Sequence, residues 1–377
     1  MSFDDMKISK DVLHGIYAYG YEKPSEIQLK AIPLMIDRKD VIAQSQSGTG
    51  KTGSFTIGML SIINSENNYP QAIIMSNTRE LSEQTYNVTK ELSKFMKIDV
   101  SLCVGGIQRN KNIEEAKKAH VLIGTPGRLN DLLESEVFDV NKLEIIIIDE
   151  ADELLTGEFL DQTKTFIMKI PPKVQTCIFS ATLPDHVKKL TNDFMNNPES
   201  ILVERENLTL KLITQFYIYL EKDMEKLEVI DDLYSNVSTN QCIIYVNSVG
   251  RADILMQYMK EKKHTVEALH SKLDSKSRLE ILKRFRKSEF RVLISTDLTC
   301  RGIDVQQVSY VINYDVPNDV CNYLHRIGRS GRYKKKGVAI TFITKRDIRK
   351  VKDIERYYKI RMEEMPSLEF LNNYLSG

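Results

Sequence analysis

The stretch Ile145-Ile146-Ile147-Ile148-Asp149-Glu150-Ala151-Asp152 sets four consecutive isoleucines directly before a cluster of carboxylates. A short run that is apolar at every position is typical of a parallel strand buried on both faces. Carboxylates that follow such a strand lie at the edge of an α/β sheet where ligands bind. Taken alone, an acidic cluster there is more often a helix N-cap and first turn, so its meaning depends on the rest of the chain.

Similar apolar, β-branched blocks recur along the chain, separated by segments of helical length. They are residues 41–43, 72–75, 121–123 and 177–179 in the first half, and 242–246, 292–294, 308–312 and 338–343 in the second. Strands that alternate with helices in this way build βαβ units around a parallel sheet. The sequence therefore predicts an α/β fold with two domains, each a mainly parallel sheet flanked by helices.

A join between the two domains is predicted near residues 204–214, where strand-like residues give way to polar ones. The 377 residues, 42% of them hydrophobic, suffice for two domains of ordinary size. We expect an N-terminal segment at 1–32, a first domain at 33–207, a short linker at 208–214 and a second domain at 215–377.

The net charge of +1 hides a marked difference between the two halves. Residues 1–210 hold 23 Lys and Arg against 30 Asp and Glu, whereas residues 211–377 hold 30 against 22. A basic second half is typical of a domain that meets a polyanion, although the charges also fit two merely solvated surfaces.

Several protein classes are set aside by what the chain lacks. No apolar run approaches the roughly 18 residues of a membrane span, and the N-terminus has no secretory-signal pattern. The five cysteines are widely spaced and form no C-x-x-C pair, which argues against a disulfide framework and a zinc site. We therefore expect an intracellular protein without a membrane anchor.

A glycine-containing loop follows the first predicted strand and precedes a helical segment. Its residues are Ser45, Gln46, Ser47, Gly48, Thr49, Gly50, Lys51 and Thr52. Backbone N–H groups of such a loop cradle phosphates at a helix N-terminus, with Lys51 reaching the β/γ-phosphates and the Thr52 hydroxyl binding Mg²⁺. Ser45 stands where the usual pattern has glycine. With this loop upstream, Asp149 is predicted to hold the metal and Glu150 to orient the attacking water.

These features and others in the same order resemble the DEAD-box RNA helicase family, most of all its translation-initiation factor 4A subgroup. Further matching motifs are Gly20 to Gln28, Thr78-Arg79-Glu80-Leu81, Gly105-Gly106, Thr125-Pro126-Gly127-Arg128, Ser180-Ala181-Thr182, Ser295-Thr296-Asp297, Arg301-Gly302-Ile303-Asp304 and His325 to Arg332. The resemblance covers almost the whole chain. It implies two tandem RecA-like domains and an ATP-dependent RNA helicase.

The resemblance also implies a set of nucleotide contacts. Gln28 would pair with adenine and Tyr21 would stack on it, although Tyr21 also suits a core aromatic. Asp304 would contact the ribose, although it also suits a turn cap. Arg329 and Arg332 would reach the γ-phosphate as arginine fingers, which can contribute about 10³–10⁵ in rate. The expected cofactors are ATP and Mg²⁺.

RNA contacts and coupling residues are implied in the same way. The RNA backbone would be bound by Thr78, Arg79, Gly106, Thr125, Arg128 and Thr296. Hydrolysis would be coupled to unwinding through Ser180, Thr182, His325 and Arg326, although Arg326 also suits a surface ion pair. Ser275 departs from the family's glutamine, in a segment that the resemblance assigns to second-domain RNA and interdomain contacts.

Three functions stay open at this point. The first is an ATP-hydrolysing enzyme that unwinds short RNA duplexes non-processively; the second is an ATP-gated RNA clamp that rarely turns over. The third is a DNA helicase or translocase, against which the adenine-reading segment and the acidic tetrapeptide argue. We further expect a cytoplasmic monomer that meets single-stranded or locally duplex RNA and a translation-initiation scaffold protein.

Overall fold

The computed structural model of the chain describes residues 2–45, 49–201, 213–236, 241–297, 308–330 and 337–367. The chain divides into two compact units, Met1–Val203 and Glu204–Gly377. Each unit has its own sheet and its own hydrophobic clusters. No helix in the described ranges is both long and apolar enough to cross a membrane.

The first unit is built on a seven-stranded sheet in which neighbouring strands run parallel. Its strands are β1 (Val41–Gln44), β2 (Ala72–Met75), β3 (Val100–Cys103), β4 (Val121–Gly124), β5 (Ile145–Asp149), β6 (Gln175–Ser180) and β7 (Glu199–Ile201). They are ordered β3-β4-β2-β5-β6-β1-β7. Because parallel strands end at one edge, the residues that follow β1, β5 and β6 come together there.

Helices cover both faces of this sheet. They are α1 (Lys10–Ala18), α2 (Glu26–Ile36), α3 (Lys51–Leu60), α4 (Arg79–Leu92), α5 (Arg109–Lys118), α6 (Pro126–Glu134), α7 (Ala151–Leu154), α8 (Leu160–Ile167) and α9 (Asp185–Thr191). The isoleucines of β5 alternate between two clusters: Ile145 and Ile147 pack on one face, and Ile146 and Ile148 on the other. All four positions are therefore apolar because both faces of the strand are buried.

The second unit repeats this architecture. Its strands are β8 (Ile213–Tyr219), β9 (Cys242–Tyr245), β10 (Val266–Leu269), β11 (Val292–Ser295), β12 (Tyr310–Asn313), β13 (Gly337–Ile343) and β14 (Glu363–Glu364). All pairs are parallel, in the order β10-β11-β9-β12-β13-β8-β14. The described helices are α10 (Glu225–Asn236), α11 (Val249–Glu261), α12 (Ser275–Arg286), α13 (Val320–Ile327) and α14 (Ile348–Tyr358).

The structure confirms the predicted α/β architecture with two sheets. Every apolar block named from the sequence contains a strand, with ends that shift by one or two residues. Most of the predicted linker lies outside the described residues. None of the described cysteines takes part in a disulfide bond.

Candidate nucleotide and RNA sites

The predicted phosphate-binding loop connects β1 to α3, and Ser45, Thr49 and Gly50 are its described members. Gln46, Ser47 and Gly48 lie outside the described residues. The Ser45 N–H donates to the Ser180 carbonyl oxygen at 2.9 Å, beyond the last paired residue of β1. The Ser45 and Thr49 hydroxyl oxygens lie 2.5 Å apart, so they close the loop across its two ends. The serine in the place usually held by glycine therefore has a local structural role.

Gly50 begins α3 in a conformation that favours glycine. Its φ of 103° lies in the left-handed region, and a β-carbon there would lie 2.8 Å from Ser25 Oγ. The Gln28 amide donates to the Gly50 carbonyl oxygen at 3.4 Å and accepts from the Ser25 N–H at 2.8 Å. Gln28 thus joins the start of α2 to the loop, while its contact with adenine stays a prediction.

Tyr21 lies beside the same glycine-rich turn of α3. A β-carbon on Gly53 would lie 2.9 Å from Tyr21 Oη and 2.7 Å from Gln28 Nε2, so glycine permits this close packing. The Tyr21 ring also meets Tyr19 edge-on, with centroids 4.9 Å apart, and packs against the core. Part of this ring therefore serves the core, and its stacking on a base stays a prediction.

A buried ion pair lies at the carboxyl edge of the sheet. Lys51, the first residue of α3, places Nζ 3.7 Å from Glu150 Oε1, and both side chains are at most 6% exposed. Among the described residues, neither Lys51 Nζ nor Glu150 Oε2 has a hydrogen-bond partner. Buried polar atoms without partners are rare in proteins and mark a place where a ligand or water supplies them. The pair therefore fits a phosphate group and an attacking water.

Asp149 ends β5 directly before this pair. Burial, and after it the negative charge of Glu150, raise the pKa of Asp149 to about 7, while Lys51 acts in the opposite direction. The Asp149 carboxylate accepts a hydrogen bond from the Glu150 N–H at 3.0 Å. Carboxylate and hydroxyl oxygens are the donors that Mg²⁺ prefers, so Asp149 and Thr52 fit the predicted metal.

We expect Asp149→Asn to stabilise the nucleotide-free, Mg²⁺-free protein, and more so at pH 8 than at pH 6. The raised pKa means that the folded state binds the proton more tightly than the unfolded chain, whose ordinary value is about 3.9. Stability is therefore lost as pH rises through about 7. Between these two pH values the variant should gain roughly 1 kcal/mol over wild type.

Thermal unfolding in EDTA measures this gain, which corresponds to roughly 2–4 °C. Asp161→Asn, an exposed change of the same charge on α8, is the matched control and should show no such pH dependence. A difference between Asp149→Asn and wild type that is constant from pH 6 to pH 8 contradicts the prediction.

The predicted coupling residues of the first unit converge on one acidic side chain. The Ser180 hydroxyl accepts from the Asp152 N–H at 3.3 Å, and the Thr182 hydroxyl donates to Asp152 Oδ2. All three side chains are buried. Asp152 had no individual role among the predicted site residues, although its place after β5, the strand beside β6, was a signal that the hydroxyl groups after β6 would reach it.

Two RNA motifs of the first unit meet at Arg79. Thr78 caps α4 by accepting from the Leu81 N–H at 3.2 Å. The Arg79 guanidinium packs over two glycines, because a β-carbon on Gly105 would lie 2.5 Å from Nη2 and one on Gly106 would lie 3.2 Å from Nη1. Gly106 has a φ of 91° and is exposed. An exposed cation beside bare backbone is suited to a phosphate.

Arg128 has structural contacts that the sequence did not predict. Its guanidinium donates to Asn112 Oδ1 at 2.9 Å and to the Ile107 carbonyl oxygen at 3.1 Å. Its side chain is only 13% exposed. Thr125, by contrast, is half-buried at the start of α6 and makes no side-chain cap. The same guanidinium would therefore have to contact RNA, as predicted, while it also bonds to Ile107 and Asn112.

Arg326 is the centre of a polar network in the second unit. It donates to Asp297 and to Asn247 Oδ1, each at 2.8 Å, and to the Asp315 carbonyl oxygen at 2.6 Å. Its guanidinium also lies 5.3 Å from the Tyr245 ring centroid, and the side chain is 1% exposed. The alternative of a surface ion pair is therefore wrong, because the guanidinium is buried and its partner Asp297 is only 21% exposed.

Other predicted residues of the second unit lie near this network or outside the described ranges. Thr296 is buried directly after β11 and precedes Asp297. The Arg329 Nε donates to the His325 carbonyl oxygen at 3.2 Å, just past the end of α13. Asp304 and Arg332 lie outside the described residues.

Comparison with known families covers both units. Residues 25–190 match the family of DEAD/DEAH box helicases, and residues 225–334 match the helicase conserved C-terminal domain. Together these matches include the nucleotide loop, the carboxylates and the arginines discussed above. Tyr21 lies just before the first match.

Three individual proteins illustrate the similarity. Eukaryotic initiation factor 4A of Caenorhabditis elegans is 45% identical over 366 residues, covering 97% of this chain and 91% of that protein. The ATP-dependent RNA helicase eIF4A of Saccharomyces cerevisiae is 43% identical over 365 residues, covering 97% and 92%. The structure of S. cerevisiae Dbp5 bound to RNA and ADP BeF3 has a TM-score of 0.93 at 34% identity, covering 100% of this chain and 98% of that one.

Proposed function

Since this chain belongs to the DEAD/DEAH box helicase family, we propose that it couples ATP hydrolysis to local, non-processive opening of RNA duplexes. It is an ATP-dependent RNA helicase of the eIF4A type, as the sequence motifs predicted. Its fold is two tandem RecA-like domains, which confirms the predicted fold class. The biological setting we propose is translation initiation or mRNA metabolism, in the cytoplasm.

One observation carries the chemical part of the proposal. Lys51 and Glu150 are buried together, and each has a polar atom without a hydrogen-bond partner among the described residues. A buried ammonium stabilises the charge that develops on a transferring phosphoryl group. The adjacent carboxylate would take a proton from the attacking water, which is general-base catalysis.

The nucleotide roles follow from the motif positions. We assign binding of ATP to Tyr21, Gln28, the loop from Ser45 to Thr52, and Asp304. Thr52 and Asp149 would hold Mg²⁺, whose charge polarises the phosphate oxygens when it is bound. Arg329 and Arg332 would supply positive charge to the γ-phosphate from the second domain.

RNA binding is assigned to both domains. Thr78, Arg79, Gly106, Thr125, Arg128 and Thr296 would contact the sugar–phosphate backbone, with no base readout. Closure of domains 33–207 and 215–377 on ATP and RNA would bend the bound strand so that a duplex cannot persist. Ser180, Thr182, His325 and Arg326 would couple that closure to hydrolysis, with Asp152 bonded to the first two. We expect a monomer that acts with a translation-initiation scaffold protein.

Steady-state ATPase assays with single-stranded RNA, with DNA of the same sequence, and with neither, test this proposal. We expect RNA to raise turnover severalfold or more and DNA to leave it near the basal rate, because 2′-hydroxyl contacts distinguish the two strands. Equal stimulation by DNA would favour a DNA helicase or translocase. Tight ATP-dependent RNA binding without turnover would favour the clamp.

A further inference from the structure

The last described helix of the second unit, α14, has a strongly one-sided distribution of charge. Its buried side is formed by Val351, Ile354 and Tyr358. Its exposed cations include Lys345, Arg349, Lys352, Arg356 and Lys359, which we call the basic stripe; Arg346 and Arg361 are exposed as well. Within the helix, Arg349, Lys352 and Arg356 are spaced three and four residues apart and follow one line. Lys345 precedes the helix, and Lys359 is its left-handed C-cap. At 100° per residue, the line is centred about 160° from the buried side.

The segment that carries the stripe accounts for most of the net positive charge of the second half of the chain. Residues 345–361 hold eight Lys and Arg against three Asp and Glu, a net charge of +5, while residues 211–377 as a whole have +8. The three acids flank the stripe or cap the helix. Asp347 accepts from Thr344, Glu355 accepts from the Met362 N–H, and Asp353 pairs with Arg356 at 3.1 Å. The exposed Glu363 and Glu364 follow in β14, beyond the helix.

The stripe starts at the edge of the sheet that carries the predicted RNA motif of this unit. Thr344 follows β13 and Thr296 follows β11, and both strands end at the same edge because the sheet is parallel. Three strand steps separate β11 from β13, which is about 14 Å. From Lys345 the stripe then leads away from this edge along α14, over roughly 16 Å of helix.

We propose that the basic stripe binds the sugar–phosphate backbone of RNA that continues beyond the segment held by the motif loops. The proposal rests on the proposed function, since it concerns the same RNA. Phosphates on a polyanion are attracted by aligned cations without regard to base sequence, and each contact releases bound counterions.

Binding measurements on a triple variant test the stripe. In Lys345→Gln/Arg349→Gln/Lys352→Gln, three cations are lost, none of which belongs to the nucleotide site or the motif loops. The matched control, Lys94→Gln/Lys117→Gln/Lys118→Gln, removes three exposed cations that precede β3 and β4 of the first unit, at the opposite edge of that sheet. Fluorescence anisotropy with a non-hydrolysable ATP analogue would follow one RNA of roughly 25 nucleotides and one of roughly 6.

For the long RNA, we expect the slope of log K against log salt to become shallower by about 2 in the stripe variant. Affinity at low salt should fall roughly tenfold or more. The short RNA, the control variant and the turnover at saturating RNA should keep wild-type values. This pattern would mean that the stripe holds RNA outside the motif surface.

Three results would overturn the proposal. An unchanged slope with the long RNA, or an equal change in the control, would make the stripe a solvated face. If the stripe variant kept the wild-type slope with RNA but lost binding of a poly-glutamate peptide, the stripe would bind an acidic protein instead. An equal loss with the short RNA would place it within the motif surface. If wild type bound neither RNA, the proposed function would fail as well. If wild type bound the short RNA normally, only the proposal for the stripe would fail.

Discussion

Glu150→Gln is expected to lower the ATPase rate by roughly 10²- to 10⁴-fold while ATP and RNA still bind. Glutamine keeps the shape of the side chain but has no basic oxygen to take a proton from the attacking water. The Glu150 carboxylate is buried with Lys51 3.7 Å away, so the change removes a charge from a site that bulk solvent does not fill. Lys51 remains available to phosphate, which is why binding should survive.

Single-turnover hydrolysis and equilibrium binding of a fluorescent ATP analogue separate the two effects. Glu158→Gln is the matched control: it makes the same chemical change eight residues later, at an exposed position, and should be silent. If Glu150→Gln kept more than about a tenth of wild-type turnover, Glu150 would be a minor contributor rather than the general base.

Arg326→Met is expected to destabilise the second unit by about 3–5 kcal/mol. The guanidinium is 1% exposed and has three acceptors, on Asp297, Asn247 and Asp315, so its loss leaves a buried network without its donor. Removing one member of a buried charged pair is costly because the remaining charge is not compensated. Methionine has a similar length, so packing changes little.

Amide hydrogen exchange localises this effect to the second unit. Protection of β9 and β11 should fall by roughly 10²- to 10³-fold, whereas β5 and β6 in the first unit should be unaffected. Arg284→Met is the control, because Arg284 is 38% exposed and its pairs with Glu267 and Glu289 should contribute less than about 1 kcal/mol. Equal losses in the two variants would mean that burial of Arg326 has no energetic consequence.

A double variant tests the pairing itself. Arg326→Met combined with Asp297→Asn should lose less stability than the sum of the two single changes, because the second change removes the unpaired charge that the first leaves behind. Simple additivity would show that Arg326 acts through Asn247 and the Asp315 carbonyl group instead.

The sheets were predictable because most of their strands contain a run of three or more consecutive apolar residues, such as Ile145 to Ile148 in β5. The first four residues of β5 and all four residues of β9 are apolar and buried, so these blocks stand out in the sequence. Four strands lacked such a signature: β3 (Val100–Cys103) alternates, β7 (Glu199–Ile201) begins with exposed Glu and Ser, β10 (Val266–Leu269) contains a glutamate, and β14 consists of two exposed glutamates. All four are edge strands, where one side meets solvent.

The candidate site was predictable where a motif fixes both residue type and place. Lys51, Asp149 and Glu150 lie together as the loop and strand patterns predicted, and Ser180 and Thr182 lie beside the acidic tetrapeptide. The contacts of Arg326 and Arg128 were not predictable. Their partners Asn247, Asp315 and Asn112 come from other loops and helices, and a single polar residue there has no distinguishing pattern.

The backbone of Glu150 has a consequence for how this chain can evolve. Its φ of 51° is in the left-handed region, which is unfavourable for a residue with a β-carbon by about 1–2 kcal/mol. The acid also lies buried beside a second carboxylate, Asp149. A glycine at 150 would relieve the backbone strain, and an amide at 149 would remove one of the two buried charges. Selection for stability alone should therefore replace both acids. Two acids in this setting are expected to persist only in lineages where nucleotide turnover is under selection.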